Sequence, residues 1–372
     1  MSECSGGVDL KISATLLRVI CACVLLGILV AGLWPFHSPK NEVTWFSHGN
    51  GLRFGKHSTV VSAGLFQTDL LHGGDPCSVE IWLKPRRLQG SGTILAFYRP
   101  TDDIVPFMIR QSLSDLELLR TTQTHSAKTT RIYVDDLFST SRSVFVTVSS
   151  GATGTSIYMD GVLVKYASGF DVSDADLTGQ LVLGNAPRTT DDWAGQVNSL
   201  AVYDRELSAT EVLGHFAAWT AGTQAELVKT KGVAAIYLLN ENEGRVARNQ
   251  VSPLTNLVIP ERFFILHKQF LERPWAEYRP DWAYRRNVAV NIVGFIPLGF
   301  FFSVYLSSGR KTKRVMELTI ALGFTVSLTI EILQAFLPTR QSGMTDLITN
   351  TFGTGVGVAL YRYLRYAQSL RK

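Results

Sequence analysis

The chain has 372 residues, enough for two or three domains. Hydrophobic residues make up 46% and charged residues 18%, below the roughly 25% charged of average soluble proteins, and the mean hydropathy is +0.12. These values exclude a disordered chain and argue against an ordinary cytosolic enzyme. Apolar residues bunch at both ends and leave a polar, Gly-rich middle, which predicts a soluble domain carried on membrane helices. The net charge of +5 is not a nucleic-acid footprint. Arg310, Lys311, Lys313, Arg314, Arg362, Arg365, Arg371 and Lys372 all flank apolar runs, where basic residues set membrane orientation.

Residues 1–18 are expected to be a cytoplasmic N-terminus. Residues 19–36 carry no charge and would reach about 27 Å as a helix, enough to span a bilayer. Arg18 can snorkel at the inner end. A cleaved leader ending at Val30-Ala31-Gly32 is the alternative. The four cysteines make no disulfide framework and have no zinc-type spacing. Cys4, Cys21 and Cys23 sit in or before this run, and Cys77 is left as a small core residue.

From 43 to 259 the apolar period becomes two. Val79, Ile81 and Leu83 alternate with Glu80, Trp82 and Lys84, and Val144, Val146 and Val148 repeat the pattern. Asp160-Gly161 between two short apolar runs predicts a type I′ hairpin. Ser208 and Glu211 form a capping box that starts a helix over 209–219. Many short strands separated by turns predict an antiparallel β-sandwich.

The order of Cys77-Ser-Val-Glu-Ile-Trp-Leu-Lys-Pro85, Ile157-Tyr-Met-Asp-Gly161, Leu181-Val-Leu-Gly184, Trp193-Ala-Gly-Gln-Val197 and Tyr203-Asp-Arg-Glu-Leu-Ser-Ala-Thr-Glu211 resembles the laminin-G (LamG), concanavalin A-like lectin/glucanase superfamily. The resemblance covers 52–219, with Ala235-Ile-Tyr-Leu-Leu-Asn-Glu241 as a closing strand, and implies a jelly roll that binds glycans or, in some members, hydrolyses them. Hydrolysis needs two carboxyl groups across the scissile bond. The glucanase Glu-x-Asp-x-(x)-Glu strand is missing. Asp115 with Glu117, and Asp102 with Asp103, are the nearest pairs, and both read as solvated. A binding module is therefore expected. Asp102, Asp103, Asp191 and Asp192 are candidate calcium ligands if their loops converge.

Residues 260–286 read as an interfacial amphipathic segment. A helix over 260–271 would carry Phe263, Phe264, Leu266, Phe270 and Leu271 on its apolar face, and Trp275, Tyr278, Trp282 and Tyr284 would form an aromatic belt. The segment is expected on the outer bilayer surface or packed beneath the sandwich.

Three further spans are expected at 287–306, 315–337 and 344–364, followed by a cytoplasmic tail at 365–372. Gly353 and Gly357, four apart, permit close helix approach. Four spans would place both termini on one side. Lys11, Arg18 and the basic clusters beside 307–314 and 362–372 outnumber Lys40, Arg273, Arg279, Arg285, Arg286 and Arg340, so that side is expected to be the cytoplasm.

Polar residues recur at one depth in these spans. Asn287 and Asn291, Glu331 and Gln334, and Asp346 and Asn350 each share a helix face. With that orientation Asn291, Glu331, Gln334 and Asn350 fall about 5–9 Å below the outer edge. Arg340, in the 338–345 loop, is expected to reach back to Glu331 or Asp346. Acids in a bilayer are costly, about 2.5–3.5 kcal/mol at its centre, so these groups should face one another. Interhelical glue is the bland alternative.

The same residues resemble the VanZ family of bacterial membrane proteins: Asn291-Ile-Val-Gly-Phe-Ile-Pro-Leu-Gly299, Glu331-Ile-Leu-Gln334, Arg340, and Asp346-Leu-Ile-Thr-Asn-Thr-Phe-Gly353. The departure is the sandwich between the first two spans. The family is associated with resistance to the glycopeptide antibiotic teicoplanin, which implies a place in the bacterial plasma membrane. The resulting expectation is an envelope protein whose sandwich binds a glycan. Its outer-leaflet cluster of Asn287, Asn291, Glu331, Gln334, Arg340, Asp346 and Asn350 would bind a lipid or lipid-linked headgroup. The alternatives are a membrane enzyme using Glu331 and Asp346 as acid and base, and a scaffold.

Overall fold

The computed structural model describes residues 13–47, 49–67, 74–123, 127–278, 281–307 and 312–370. They fall into two compact units, Ser38–Lys268 and Met1–His37 with Gln269–Lys372. Cys4, Lys11, Arg279, Arg310, Lys311, Arg371 and Lys372 lie outside the described residues, as does the side chain of Lys313.

The first unit is an antiparallel β-sandwich with, among the described residues, sixteen strands: β1 (Thr44–Trp45), β2 (Leu52–Phe54), β3 (Val60–Ser62), β4 (Cys77–Pro85), β5 (Gly90–Arg99), β6 (Ile104–Leu113), β7 (Asp115–Gln123), β8 (Ala127–Val134), β9 (Val144–Gly151), β10 (Gly154–Met159), β11 (Val162–Ala167), β12 (Gln180–Leu183), β13 (Gly195–Tyr203), β14 (Val233–Tyr237), β15 (Val246–Ala247) and β16 (Leu257–Val258). One sheet runs β1-β2-β13-β4-β9-β10-β11, with β14 also on β13; the other runs β15-β16-β3-β12-β5-β6-β7-β8. The core lies between them, where Val79, Ile81 and Leu83 meet Leu95, Phe97 and Phe107. Asp160 (φ 52°) and Gly161 (φ 82°) turn β10 into β11, as the Asp-Gly pair predicts.

Helix α2 (Ala209–Ala221) begins at the capping box: Ser208 Oγ accepts from the Glu211 amide, and the Glu211 carboxylate accepts from Ser208. It covers the outer face of β4, so Glu80 is fully buried rather than solvated. The Glu80 carboxylate accepts from the Tyr203 hydroxyl (2.9 Å) and the Trp219 indole (3.3 Å), and His215 Nδ1 lies 2.9 Å away. This polar network ties α2 to the sheet.

The second unit contains α1 (Ala14–Leu33), α3 (Pro274–Glu277), α4 (Trp282–Leu306), α5 (Thr312–Gln334) and α6 (Met344–Ser369). Among the described residues three helices are long and apolar enough to cross a membrane: Ala14–Leu33, Trp282–Leu306 and Arg314–Gln334. The fourth expected span, α6, is not one of them. Its Thr345, Asn350 and Thr354 are buried among the other helices, and Arg362 and Arg365 lie in its last turns. The polar stripe that packs α6 lowers its apolar content.

Glycines let α4 and α6 touch. A Cβ at Gly353 would lie 2.2 Å from the Ile292 carbonyl oxygen, one at Gly357 2.2 Å from that of Ile296, and one at Gly299 2.0 Å from that of Thr354. The helix expected over 260–271 does not form. Residues 260–268 close the sandwich instead: Arg262 bridges Lys40, the Phe263 amide donates to the Pro39 carbonyl, and Phe263 is fully buried. Backbone partners on the 39–41 segment take the hydrogen bonds of 261–263 that a helix would otherwise have to supply from within itself.

Candidate functional site

The polar residues of the helical unit gather around the first turn of α6. Gly343, in extended conformation, is the residue before that helix, and helix starts leave amides unpaired. Carboxylates fill them. Glu331, near the end of α5 and 1% exposed, accepts from the Gly343 amide at 2.8 Å. Glu277, the last residue of α3, accepts from the Thr345 amide at 3.3 Å. The two acids share Gly343, where a Cβ would lie 2.1 Å from Glu277 Oε1. Asp346 follows in the helix's first turn, where negative charge suits the dipole. Its Oδ1 accepts from the amides of Asn287 (3.2 Å) and Asn291 (2.7 Å), so α4 and α6 are joined through one carboxylate oxygen. Exposure is graded: Asn287 is exposed, Asn291 and Asp346 are half-buried and Glu331 is buried.

Glu277 is the residue that sequence reasoning missed. It lies in a one-turn helix after Pro274, in a stretch whose aromatic residues suggest only interfacial anchoring. The parallel bridge between Glu272 and Gly343 carries it to α6: the Glu272 amide donates to the Ser342 carbonyl and the Met344 amide donates to that of Glu272. Burial pushes the Glu277 carboxyl above its ordinary value; Glu272 adds to this, and the amides at the start of α6 oppose it.

Three of the expected residues are committed elsewhere. Arg340 makes no ion pair with Glu331 or Asp346 among the described residues; its guanidinium donates to the carbonyls of Ala31 (3.2 Å) and Trp34 at the end of α1. The Gln334 amide donates to the Gly32 carbonyl at 2.8 Å. Both satisfy carbonyls that a helix C-terminus leaves unpaired, a demand invisible until α1 packs beside α5. Asn350 is buried one turn deeper and donates to Ser327 Oγ at 3.0 Å.

Three of the four candidate calcium ligands in the sandwich, Asp102, Asp103 and Asp191, have arginine partners. Asp102 pairs with Arg99 (2.8 Å), Asp103 with Arg188 (3.1 Å) and the Tyr98 hydroxyl (2.9 Å), and Asp191 with Arg110 (2.9 Å) and the Thr93 hydroxyl (2.6 Å). No group of three or more His, Cys, Asp or Glu side chains among the described residues is placed to hold a metal ion. Neighbouring arginines neutralise these carboxylates instead. Glu117 is not solvated either: its side chain is 2% exposed, with the carboxylate between Arg110 (2.7 Å) and the Tyr133 hydroxyl (2.9 Å). Asp103 and burial, burial being the larger, push the Tyr98 hydroxyl up to about 12.

Residues 232–365 match the VanZ/LLP1 family model, and residues 56–213 match the model of the concanavalin A-like lectin/glucanases superfamily. The first match begins inside the sandwich unit, before β14. The chain thus carries a lectin-like domain and a VanZ-like region, the domain lying between an N-terminal helix and the C-terminal helices. No curated protein matches the chain. Similar solved structures include the receptor binding domain of botulinum neurotoxin D, at 15% identity and a TM-score of 0.38, covering 48% of this chain and 47% of that one. The botulinum neurotoxin serotype G binding domain is 16% identical with a TM-score of 0.37, covering 50% and 46%. The chain spans just under half the length of these structures.

Proposed function

We propose that the chain is a bacterial envelope membrane protein whose sandwich binds a glycan and whose α4–α6 cluster binds a lipid or lipid-linked headgroup. The observation that carries the helical half is the graded polar path from exposed Asn287, through half-buried Asp346, to buried Glu331 and half-buried Glu277 at Gly343. Acids placed this way accept hydrogen bonds, so the fitting headgroup offers hydroxyl or amine donors. Arg340 is spent on α1, which leaves Arg285 and Arg286, both exposed near the start of α4, for any phosphate. α6 completes the membrane region, with the sandwich outside and both termini in the cytoplasm.

The test is lipid retained by the full chain after purification in nanodiscs, read by native mass spectrometry. Glu331→Gln and Asp346→Asn keep shape but remove charge, and each is expected to lose the retained lipid while the protein still accumulates. Unchanged lipid in both variants would leave the cluster as interhelical glue and the chain as a scaffold. A second reading, an enzyme acting on a lipid-linked substrate, draws on Glu277 and Glu331 meeting at one glycine, since paired carboxyl groups in unlike surroundings suit acid and base roles. It predicts that Glu331→Gln retains lipid but leaves it chemically unaltered.

A further inference from the structure

The sandwich arginines mostly have acidic partners. Arg99, Arg110, Arg120, Arg188 and Arg205 each lie within 3.1 Å of a carboxylate. Lys56, Arg86 and Arg87 do not: all three are exposed, and none forms an ion pair among the described residues. They converge on one cleft of about 410 Å³, where the β2–β3, β4–β5 and β12–β13 connections meet. That volume lies in the range of small-ligand sites, about 300–1,000 Å³.

The cleft is held in shape. The Trp193 indole, 1% exposed, donates to Gln111 Oε1 at 2.9 Å, and Gln111 Nε2 donates to the Arg87 carbonyl at 2.7 Å. The Arg86 amide donates to the Ala194 carbonyl at 3.0 Å. Asp192 also lines the cleft, and its Oδ1 is buried with no hydrogen-bond partner among the described residues. A buried acceptor left unpaired is costly unless something fills it. Other titratable groups nearby include Asp191, which is paired with Arg110, and His57 and Glu42, which lie 3.5 Å apart; Glu42 also accepts from the Lys56 amide.

We propose that this cleft binds an acidic saccharide, its sulfate or carboxylate groups held by Lys56, Arg86 and Arg87 and one of its hydroxyls donated to Asp192. The proposal rests on the glycan-binding reading of the sandwich and deepens it. A neutral sugar leaves three cations without a purpose. A bare polyanion has no proton to give Asp192 and is repelled by it. A saccharide that bears both hydroxyl and anionic groups satisfies the whole site.

The experiment titrates the full chain in detergent micelles with dextran sulfate oligosaccharide, galacturonic acid oligosaccharide and uncharged dextran of equal length, by calorimetry. At least one acidic probe is expected to bind, more weakly as salt rises, and uncharged dextran is not. Arg86→Gln with Arg87→Gln should weaken binding about tenfold or more, the effect of losing charged hydrogen bonds. Lys229→Gln with Arg248→Gln, an equal charge change on exposed residues outside the cleft, should leave it unchanged. Asp192→Asn separates the two chemistries: a hydroxyl acceptor predicts weaker binding, whereas simple charge attraction predicts tighter binding and overturns the proposal. Acidic binding that is indifferent to the cleft variants, or binding of uncharged dextran alone, overturns the proposal and leaves the glycan reading standing. Binding of no saccharide, here or across a wider neutral and acidic panel, overturns both. Thermal melting of each variant checks that its fold is intact.

Discussion

Glu211 shows how one carboxylate can act on both local structure and pH response. The hydrogen bond from Arg205 and the Ser208 amide pull its carboxyl down to about 2. A depressed acid stabilises the folded state above its unfolded value and loses that contribution as pH falls through the folded one. The melting temperature of Glu211→Gln is therefore expected to trail that of the parent at pH 6 and to converge with it between about pH 4.5 and 2. The pair is well exposed, so the gap corresponds to under about 1 kcal/mol. Asp192 has the opposite sign. Burial pushes its carboxyl up, against the pull of His57 and Lys56, so its stabilising contribution is lost as pH rises through the folded value. Asp192→Asn is expected to melt above the parent at pH 7 and with it in acid, in a pair of thermal scans. The sequence marked Asp192 only as an acid in a loop; that Arg110 would pair with the neighbouring Asp191, and that Lys56 and His57 would face Asp192, depended on how the loops came together.

Two element contacts depend on single residues. Glu80 receives two donors from β13 and α2 and faces His215. Glu80→Ala would strand them in a buried layer and is expected to cost on the order of 3–5 kcal/mol, read by urea unfolding of the sandwich unit within the full chain. An unchanged midpoint would show that α2 is held by its apolar face alone. In the helical unit Gly353 and Gly357 sit against the α4 backbone. Gly353→Leu should separate α4 and α6 and lower stability in detergent by about 1–3 kcal/mol, with loss of the Asn291–Asp346 contact. Of these contacts, the glycine spacing and the capping box of α2 were legible because each is a local pattern. The burial of Glu80 was not, because an alternating strand reads as half-exposed until a helix covers its outer face. The 260–271 stretch failed for the converse reason: its apolar residues fit a helical stripe, but strand-like partners on the 38–40 segment took its backbone hydrogen bonds.

For the whole molecule, the decisive quantity is the side of the membrane on which each end of α5 emerges. Its 23 residues reach about 34 Å, enough to cross a hydrocarbon core of about 30 Å. In a chain cleared of native cysteines, single cysteines at Ser307 and Gln341 are expected to react with membrane-impermeant reagent from opposite sides. Reaction from one side would remove α5 as a span and with it the outer-leaflet placement of Glu331. The expected four-span count is the weaker element, since α6 gives its polar face to its neighbours and falls short of an apolar span.

By itself the sequence determined the sandwich, its Asp-Gly hairpin and three of the four helices it marked as spans, because period, capping and composition are properties of neighbours along the chain. Tertiary structure alone decided which acids meet. It brought Glu277 to Gly343 through a bridge seventy-odd residues apart, turned Arg340 and Gln334 to the carbonyls of α1, and left Asp192 Oδ1 without a hydrogen-bond partner among the described residues, in a cleft with Lys56, Arg86 and Arg87. Hydrogen-bond demand at helix ends and in buried loops is settled only when the chain closes on itself, so no local pattern could have assigned those partners.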